Sequence, residues 1–214
     1  MLRAIGRELL HHAPFTAIGA VFGIGAMAAI SIFNTPTNVS EALFYTFHPL
    51  HVVFSAMVTT AMYRKFGKKR LWVAIIVGYL GSIGIATLSD AVIPYLEGRS
   101  LNIEMHFHLP FIETESMPFI GVPEWIMVNG AAAIGIIIGL FRPNTSLPHM
   151  THVLLSTWAS LFGFTAFGTA DWLPLLPVIF VFLFLAVWIP CCVSDIVLPL
   201  LWTGKNTAHA RAHH

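Results

Sequence analysis

Long apolar runs dominate this chain and restrict it to folds that a lipid bilayer can hold. Six runs, each near the length of about 20 residues that crosses the hydrocarbon core, lie at roughly 13 to 33, 43 to 63, 71 to 95, 124 to 141, 149 to 168 and 173 to 201. Hydrophobic residues make up 57% of the chain and charged residues only 10%, against roughly a quarter charged in a soluble domain. The sequence therefore predicts an all-α polytopic membrane protein with six transmembrane helices. Its expected partner is the lipid bilayer, and no nucleic acid is expected.

Two matching sets of motifs indicate an internal repeat. FHPLH, residues 47 to 51, and PHMTH, residues 148 to 152, each place two histidines three positions apart at the start of an apolar, serine-bearing segment. Further along each half comes a Ser-Asp pair, ending at Asp90 or Asp195, with a proline four residues later. Because each half holds three spans, the second would cross the membrane inverted relative to the first, as in many secondary transporters.

The predicted organisation has four parts. Residues 1–96 form the first three-helix repeat, 97–122 an acidic and histidine-bearing loop, 123–203 the second repeat, and 204–214 a histidine-containing tail. Short basic loops stay on the cytoplasmic side, and five basic residues lie between the second and third spans: Arg64, Lys65, Lys68, Lys69 and Arg70. We therefore expect an inner-membrane protein with both termini in the cytoplasm and the 97–122 loop outside.

Histidines and acids of the first half are expected to form an outer cluster. His48 and His51 share one face of a helix because they are three residues apart. Asp90 should lie at the same depth, and ionisable groups inside a bilayer usually mark a functional site. Further ligands are expected from the loop EMHFHLPFIETE and the start of the fourth span: His106, His108 and Glu124.

The second half predicts a similar inner cluster near the cytoplasmic face; the alternative is a single central site that draws on both halves. The inner cluster would hold His149, His152 and Asp195, with His12 from the first span as a further ligand. Cys191 or Cys192 is also expected there, and neighbouring cysteines rarely bond to each other, so no disulfide framework is implied. The glycines of the first and fourth spans suit a close helix interface, within the chain or in a homo-oligomer.

These residue types indicate a transition metal. Imidazole and carboxylate together bind zinc, iron(II), manganese, cobalt and nickel, whereas magnesium and calcium sites are built from oxygen. The repeat then favours a transporter of a divalent transition metal ion, zinc or iron foremost, in which rocking of one repeat against the other changes access. Protons compete with metals for the same ligands, which would couple release of the ion to pH.

Three other interpretations stay open from the sequence. Histidines at two depths also suit an electron-transfer protein that binds haem. A membrane-embedded metal-dependent hydrolase or oxygenase would instead use one asymmetric site with an open coordination position. Finally, the histidines could serve only as hydrogen-bonding groups between helices.

Overall fold

The structure is a computed structural model that describes residues 2–66, 70–117, 120–142, 146–194 and 198. Within its helices the side chains of residues 2–9, 11–12, 66, 146–150 and 192 lie outside this description.

Helices account for most of the described residues. In chain order they are α1 Leu2–Ile32, α2 Thr37–Phe66, α3 Leu71–Ser100, α4 Glu124–Phe141, α5 Ser146–Phe167 and α6 Leu176–Cys192. Two short antiparallel strands, β1 Glu104–Met105 and β2 Gly168–Thr169, join the loop after α3 to the end of α5. A single 3-10 turn, Leu173–Leu175, precedes α6. The prediction of an all-helical membrane protein is confirmed at this level.

Among the described residues, five segments are long and apolar enough to cross a membrane: Ala13–Ile32, Thr37–Lys65, Leu71–Ser100, Glu124–Phe141 and Leu173–Cys191. The remaining predicted span, 149 to 168, is the helix α5 but is not among the five. This helix carries many hydroxyl side chains and is enclosed by its neighbours. The chain is an integral membrane protein, and six spans in two inverted repeats remain a prediction.

Apolar side chains cover the outside of the bundle. Val21, Ile137 and Val181 are each more than half exposed, and many similar residues lie around the perimeter. Patches of this extent are unfavourable in water, whereas in a bilayer they contact acyl chains.

α2 lies at the centre of the bundle. It contacts α5 and α4 along much of its length and also packs on α3, while α1 and α6 cover α5 from other sides. Two glycines of α4 make the approach to α2 close, because a Cβ at Gly135 or Gly139 would collide with the carbonyl oxygen of Val53 or Met57. The fourth-span glycines are therefore used within the chain, in the small-residue packing common in membranes.

α3 departs from regular α-helical geometry at two places. Leu80–Gly84 and Leu88–Val92 are π-helical, with hydrogen bonds that skip one extra residue. Asp90 lies inside the second π segment, and such segments occur frequently at functional sites. α5 comes unusually close here, because a Cβ at Gly163 would lie 2.9 Å from the Asp90 carbonyl oxygen.

Candidate metal centre

Asp90 is fully buried and accepts hydrogen bonds from both histidines of the first motif. Nδ1 of His48 lies 2.9 Å from its Oδ2 atom, and Nδ1 of His51 lies 2.7 Å from the same atom. All three side chains have no exposed surface. Because the carboxylate only accepts, both rings carry their proton on Nδ1 and direct the lone pair of Nε2 elsewhere.

Three serine hydroxyls surround the other carboxylate oxygen. Oδ1 of Asp90 lies 2.6 Å from the hydroxyl of Ser89, 3.1 Å from that of Ser156 and 3.3 Å from that of Ser160. The two α5 serines are one turn apart and reach Asp90 across the close approach at Gly163. The Ser160 hydroxyl lies closer to the carbonyl oxygens of Ser156 and Ser89, at 2.8 and 2.9 Å, so four donors, two imidazoles and two hydroxyls, stabilise this carboxylate in a region where an unsatisfied charge would be very costly.

His51 also belongs to a second group of ligand atoms. His51, His152 and Cys191 each offer a nitrogen or sulfur, and these three atoms all lie within 4.8 Å of one another. The rings of His51 and His152 are in edge-to-face contact, with centroids 5.2 Å apart. The three side chains come from α2, α5 and α6 and are almost fully buried.

This group has the donor set of a transition-metal site. Ligands at 2.0 to 2.3 Å from a common ion are separated by less than about 4.6 Å, so small side-chain movements would let all three bind one ion. Nε2 of His51 and Nε2 of His48 have no hydrogen-bond partner in the described part of the chain. Asp90 has the position of the carboxylate that orients a metal-binding histidine through its other nitrogen.

Among the described residues the two motifs therefore meet in one centre and not in separate clusters at opposite depths. The contact between His51 and His152 joins the two motifs in one centre. Counting residues from the sequence placed the motifs at opposite membrane faces, but α2 and α5 pack against each other so that the second histidines of both motifs meet.

Hydroxyl groups continue the polar region away from Asp90. The hydroxyl of Ser194 lies 3.4 Å from that of Ser55 and 3.1 Å from that of Thr59, and it donates to the carbonyl oxygen of Gly81 at 3.0 Å. All three hydroxyl residues are completely buried. This group is the counterpart of the Ser89 group, because each Ser-Asp motif places its serine beside a hydroxyl of the helix from the other half.

A second histidine-carboxylate pair lies toward the loop. Nε2 of His108 is 2.6 Å from a carboxylate oxygen of Glu124, and its Nδ1 is 3.8 Å from Glu113. His106 is exposed whereas His108 is buried, so the two loop histidines do not form the paired ligand set that an extended segment would give. The His108–Glu124 pair does not join the Asp90 cluster as predicted.

Aromatic rings separate this pair from the metal centre. Phe44 stacks on His48 with centroids 5.3 Å apart and lies 6.0 Å from the ring of His108. Phe167 stacks on His108 at 4.5 Å and meets Phe44 edge on at 4.9 Å. A cavity of about 10 Å³ lies beside these rings, lined by both Asp90 and His108, and it is at the lower limit for one water molecule.

Several predicted ligands fall outside the description. Asp195 is not among the described residues, and the side chains of His12, His149 and Cys192 are not described although their helices are. Their assignment to the site stays a prediction.

Sequence reasoning passed over the hydroxyl residues that complete the centre. His51, Ser55 and Thr59 are spaced by four, and His152, Ser156 and Ser160 repeat the spacing. This pattern places three polar groups on one face of each helix, and its repetition was the available signal. No protein-family model, curated protein or solved structure matches the chain.

Proposed function

We propose that the protein transports a divalent transition metal ion across the membrane through a centre formed by His51, His152 and Cys191. Asp90 orients the histidine of α2, and the ion is the cargo. Zinc and iron(II) are the foremost candidates, because two imidazoles and a thiolate suit them better than magnesium or calcium.

One observation carries this proposal: a row of buried polar side chains along one face of α2. His48, His51, Ser55 and Thr59 occupy one face of the helix and are all completely buried. From the first to the last they extend about 16 Å at 1.5 Å per residue, roughly half of the 30 Å hydrocarbon core. Burying polar groups in the hydrocarbon region costs free energy, so such groups usually mark ion pathways. The row extends well beyond what a single binding site needs.

Charge balance also supports a divalent cargo. Among the described residues Asp90 forms ion pairs only with His48 and His51. A divalent ion with the Cys191 thiolate and the Asp90 carboxylate would give a centre without net charge, which is the least costly arrangement in a low-dielectric interior. Protons compete with the ion for imidazole and thiolate, so acidification would favour release.

We further propose that the transporter consists of two inverted three-helix repeats, residues 1–96 and 123–203, with both termini cytoplasmic. The mirrored hydroxyl contacts support this arrangement. Ser89 of the first Ser-Asp motif contacts Ser156 of α5, and Ser194 of the second contacts Ser55 of α2. A two-fold relation between α2 and α5 accounts for both pairs, and Asp195 is then expected to serve the second motif as Asp90 serves the first.

The geometry argues against a bis-histidine haem at this position. The rings of His51 and His152 touch at 5.2 Å between centroids, which leaves no room for a porphyrin plane between them.

A membrane metalloenzyme is the second candidate function. The favouring observation is that three protein ligands converge from His51, His152 and Cys191, because catalytic zinc sites have three protein ligands and an open fourth position. Such an enzyme would hold its ion permanently, whereas a transporter must exchange it. The rate of ion exchange therefore distinguishes these functions.

The deciding experiment is metal uptake into proteoliposomes that contain a metal-sensitive dye. We expect zinc, iron(II), manganese, cobalt or nickel to enter with the unchanged protein, and His51→Ala, His152→Ala and Cys191→Ser to abolish uptake. His106→Ala is the matched control, because this histidine is exposed, and it should transport normally. Absence of flux for all five ions, together with one tightly held equivalent of metal, would overturn transport in favour of the enzyme.

A further inference from the structure

An apolar groove lies on the lipid-facing side of the bundle between α3 and α6. It has a volume of about 330 Å³, within the range of small-molecule sites. Leu88 of α3 and Leu185, Ile189 and Val193 of α6 contribute to its walls. Leu88, Leu185 and Ile189 are more than a third exposed, so the groove is open to the surrounding acyl chains.

A carboxylate lies in this otherwise apolar groove. Glu97 lines it, and the Oε2 atom of Glu97 is enclosed without a hydrogen-bond partner among the described residues. Arg99 is only two positions away, but residues with that separation do not face each other on a helix. An enclosed carboxylate oxygen without a donor is unfavourable, so a ligand that donates a hydrogen bond and carries positive charge would be strongly preferred.

The groove has the length of one lipid leaflet. From Ile85 to Glu97 the helix rises about 18 Å, close to half of the 30 Å hydrocarbon core. Ile85 lies near the middle of the 30-residue span Leu71–Ser100, and Glu97 lies one turn before its end. Glu97 is therefore at the level of lipid headgroups, and the groove runs from there toward the centre of the bilayer.

We infer that this groove binds an aminophospholipid, with the primary ammonium of an ethanolamine headgroup on Glu97 and one acyl chain along α6. A primary ammonium both neutralises the carboxylate and donates to Oε2, whereas the quaternary ammonium of a choline headgroup has no proton to donate. The groove is independent of the proposed metal transport. Its walls nevertheless adjoin the centre, because Leu88 precedes the Ser89–Asp90 pair and Pro190 precedes Cys191.

The test is native mass spectrometry of protein extracted from vesicles that contain equal amounts of phosphatidylethanolamine and phosphatidylcholine with identical acyl chains. We expect ethanolamine lipid to be retained over choline lipid by roughly tenfold, the size of one charge-assisted hydrogen bond. Glu97→Gln should bring the ratio close to one, and the control Glu104→Gln, an exposed carboxylate on β1, should leave it unchanged.

A second variant tests the groove itself. Leu185→Trp fills the groove from a partly exposed position, so it should fold normally and retain neither lipid. Equal retention of both lipids by the unchanged protein, or an unchanged preference in Glu97→Gln, would overturn the inference. Metal uptake by the same samples reports on the transport proposal separately, so failure of one does not imply failure of the other.

Discussion

The two histidine-carboxylate groups of this protein satisfy their charges in different ways. Asp90 is completely buried and has four side-chain donors, all of them on helices. Glu124 lies at the start of α4 beside a loop histidine, where Glu113 keeps 31% of its side chain exposed. Glu124 is itself only 3% exposed, but as the shallower carboxylate it gains from the helix N-terminus, whereas the deep Asp90 depends on side-chain donors. The position of each carboxylate in its helix therefore determines how many side-chain partners it needs.

Replacing each carboxylate by alanine should show the difference most strongly. Asp90→Ala removes the acceptor of two imidazole N–H groups and of the Ser89 and Ser156 hydroxyls, and we expect the free energy of unfolding to fall by about 3 to 5 kcal/mol. Glu124→Ala should cost less, about 1 to 2 kcal/mol, because it leaves only the buried His108 ring without its carboxylate partner. Unfolding in mixed detergent micelles measures both values, and equal losses would contradict the comparison.

Replacing histidines should affect metal affinity very differently in the Asp90 group and in the His108–Glu124 pair. We expect His51→Ala and His152→Ala each to weaken metal binding by more than about 100-fold, since even outer-shell partners contribute 10- to 100-fold. His108→Ala should change the affinity less than about threefold, because its ring lies against Glu124 and outside both candidate ligand groups. Competition with a metal-chelating dye gives the dissociation constants. A large loss in His108→Ala would place the ion at the shallow pair instead.

A milder change tests the orienting role of the deep carboxylate. Asp90→Asn keeps the shape but loses the charge and half of the acceptor capacity at the carboxylate. We expect a 10- to 100-fold weaker metal affinity with the same stoichiometry. Glu124→Gln, the matched change at the shallow pair, should leave the affinity within about threefold. If Asp90→Asn abolished binding completely, Asp90 would be a direct ligand rather than an orienting group.

The aromatic rings between the two groups should give the smallest effect. Phe44→Leu removes the ring that contacts both His48 and His108, and access from the loop side should improve. In a Cys192→Ser background we expect a small methanethiosulfonate reagent to modify Cys191 roughly fivefold faster, with the barrier lowered by about 1 kcal/mol. Phe162→Leu is the control, because Phe162 belongs to the same core but stacks on Phe47 instead. If Cys191 were modified equally faster in both variants, the effect would come from looser packing of the whole core and not from loss of the Phe44 ring.

Much of the deep centre was visible in the sequence. The pairing of His48 and His51 follows from helical spacing, and Asp90 with them followed from the expectation that an intramembrane acid requires partners. These inferences used local periodicity and the cost of charge in lipid, both of which depend only on residue type and position.

The convergence of both motifs could not be read in the same way. Depth was counted from span ends, and a count does not show which faces of α2 and α5 meet or how far the helices are displaced. The π segment around Asp90 has no recognisable sequence signature. It inserts one extra residue into a helical turn, so every later side chain of α3 points in a different direction from the one that regular α-helical spacing predicts. The contact between His108 and Glu124 depends on the path of the loop before α4, and hydrophobic periodicity does not predict the path of a loop.

The origin of the three proposed ligands in α2, α5 and α6 has a consequence for biogenesis. A nascent chain that has inserted only its first half contains His51 and Asp90 but neither His152 nor Cys191, so it lacks two of the three ligands. Because Cys191 lies near the end of α6 as described, the complete set of proposed ligands would assemble only after insertion of all six described helices. Binding of the ion would then stabilise the bundle only at the last step of assembly. A partly inserted chain would bind the ion weakly, because the order of synthesis delivers two of the proposed ligands late.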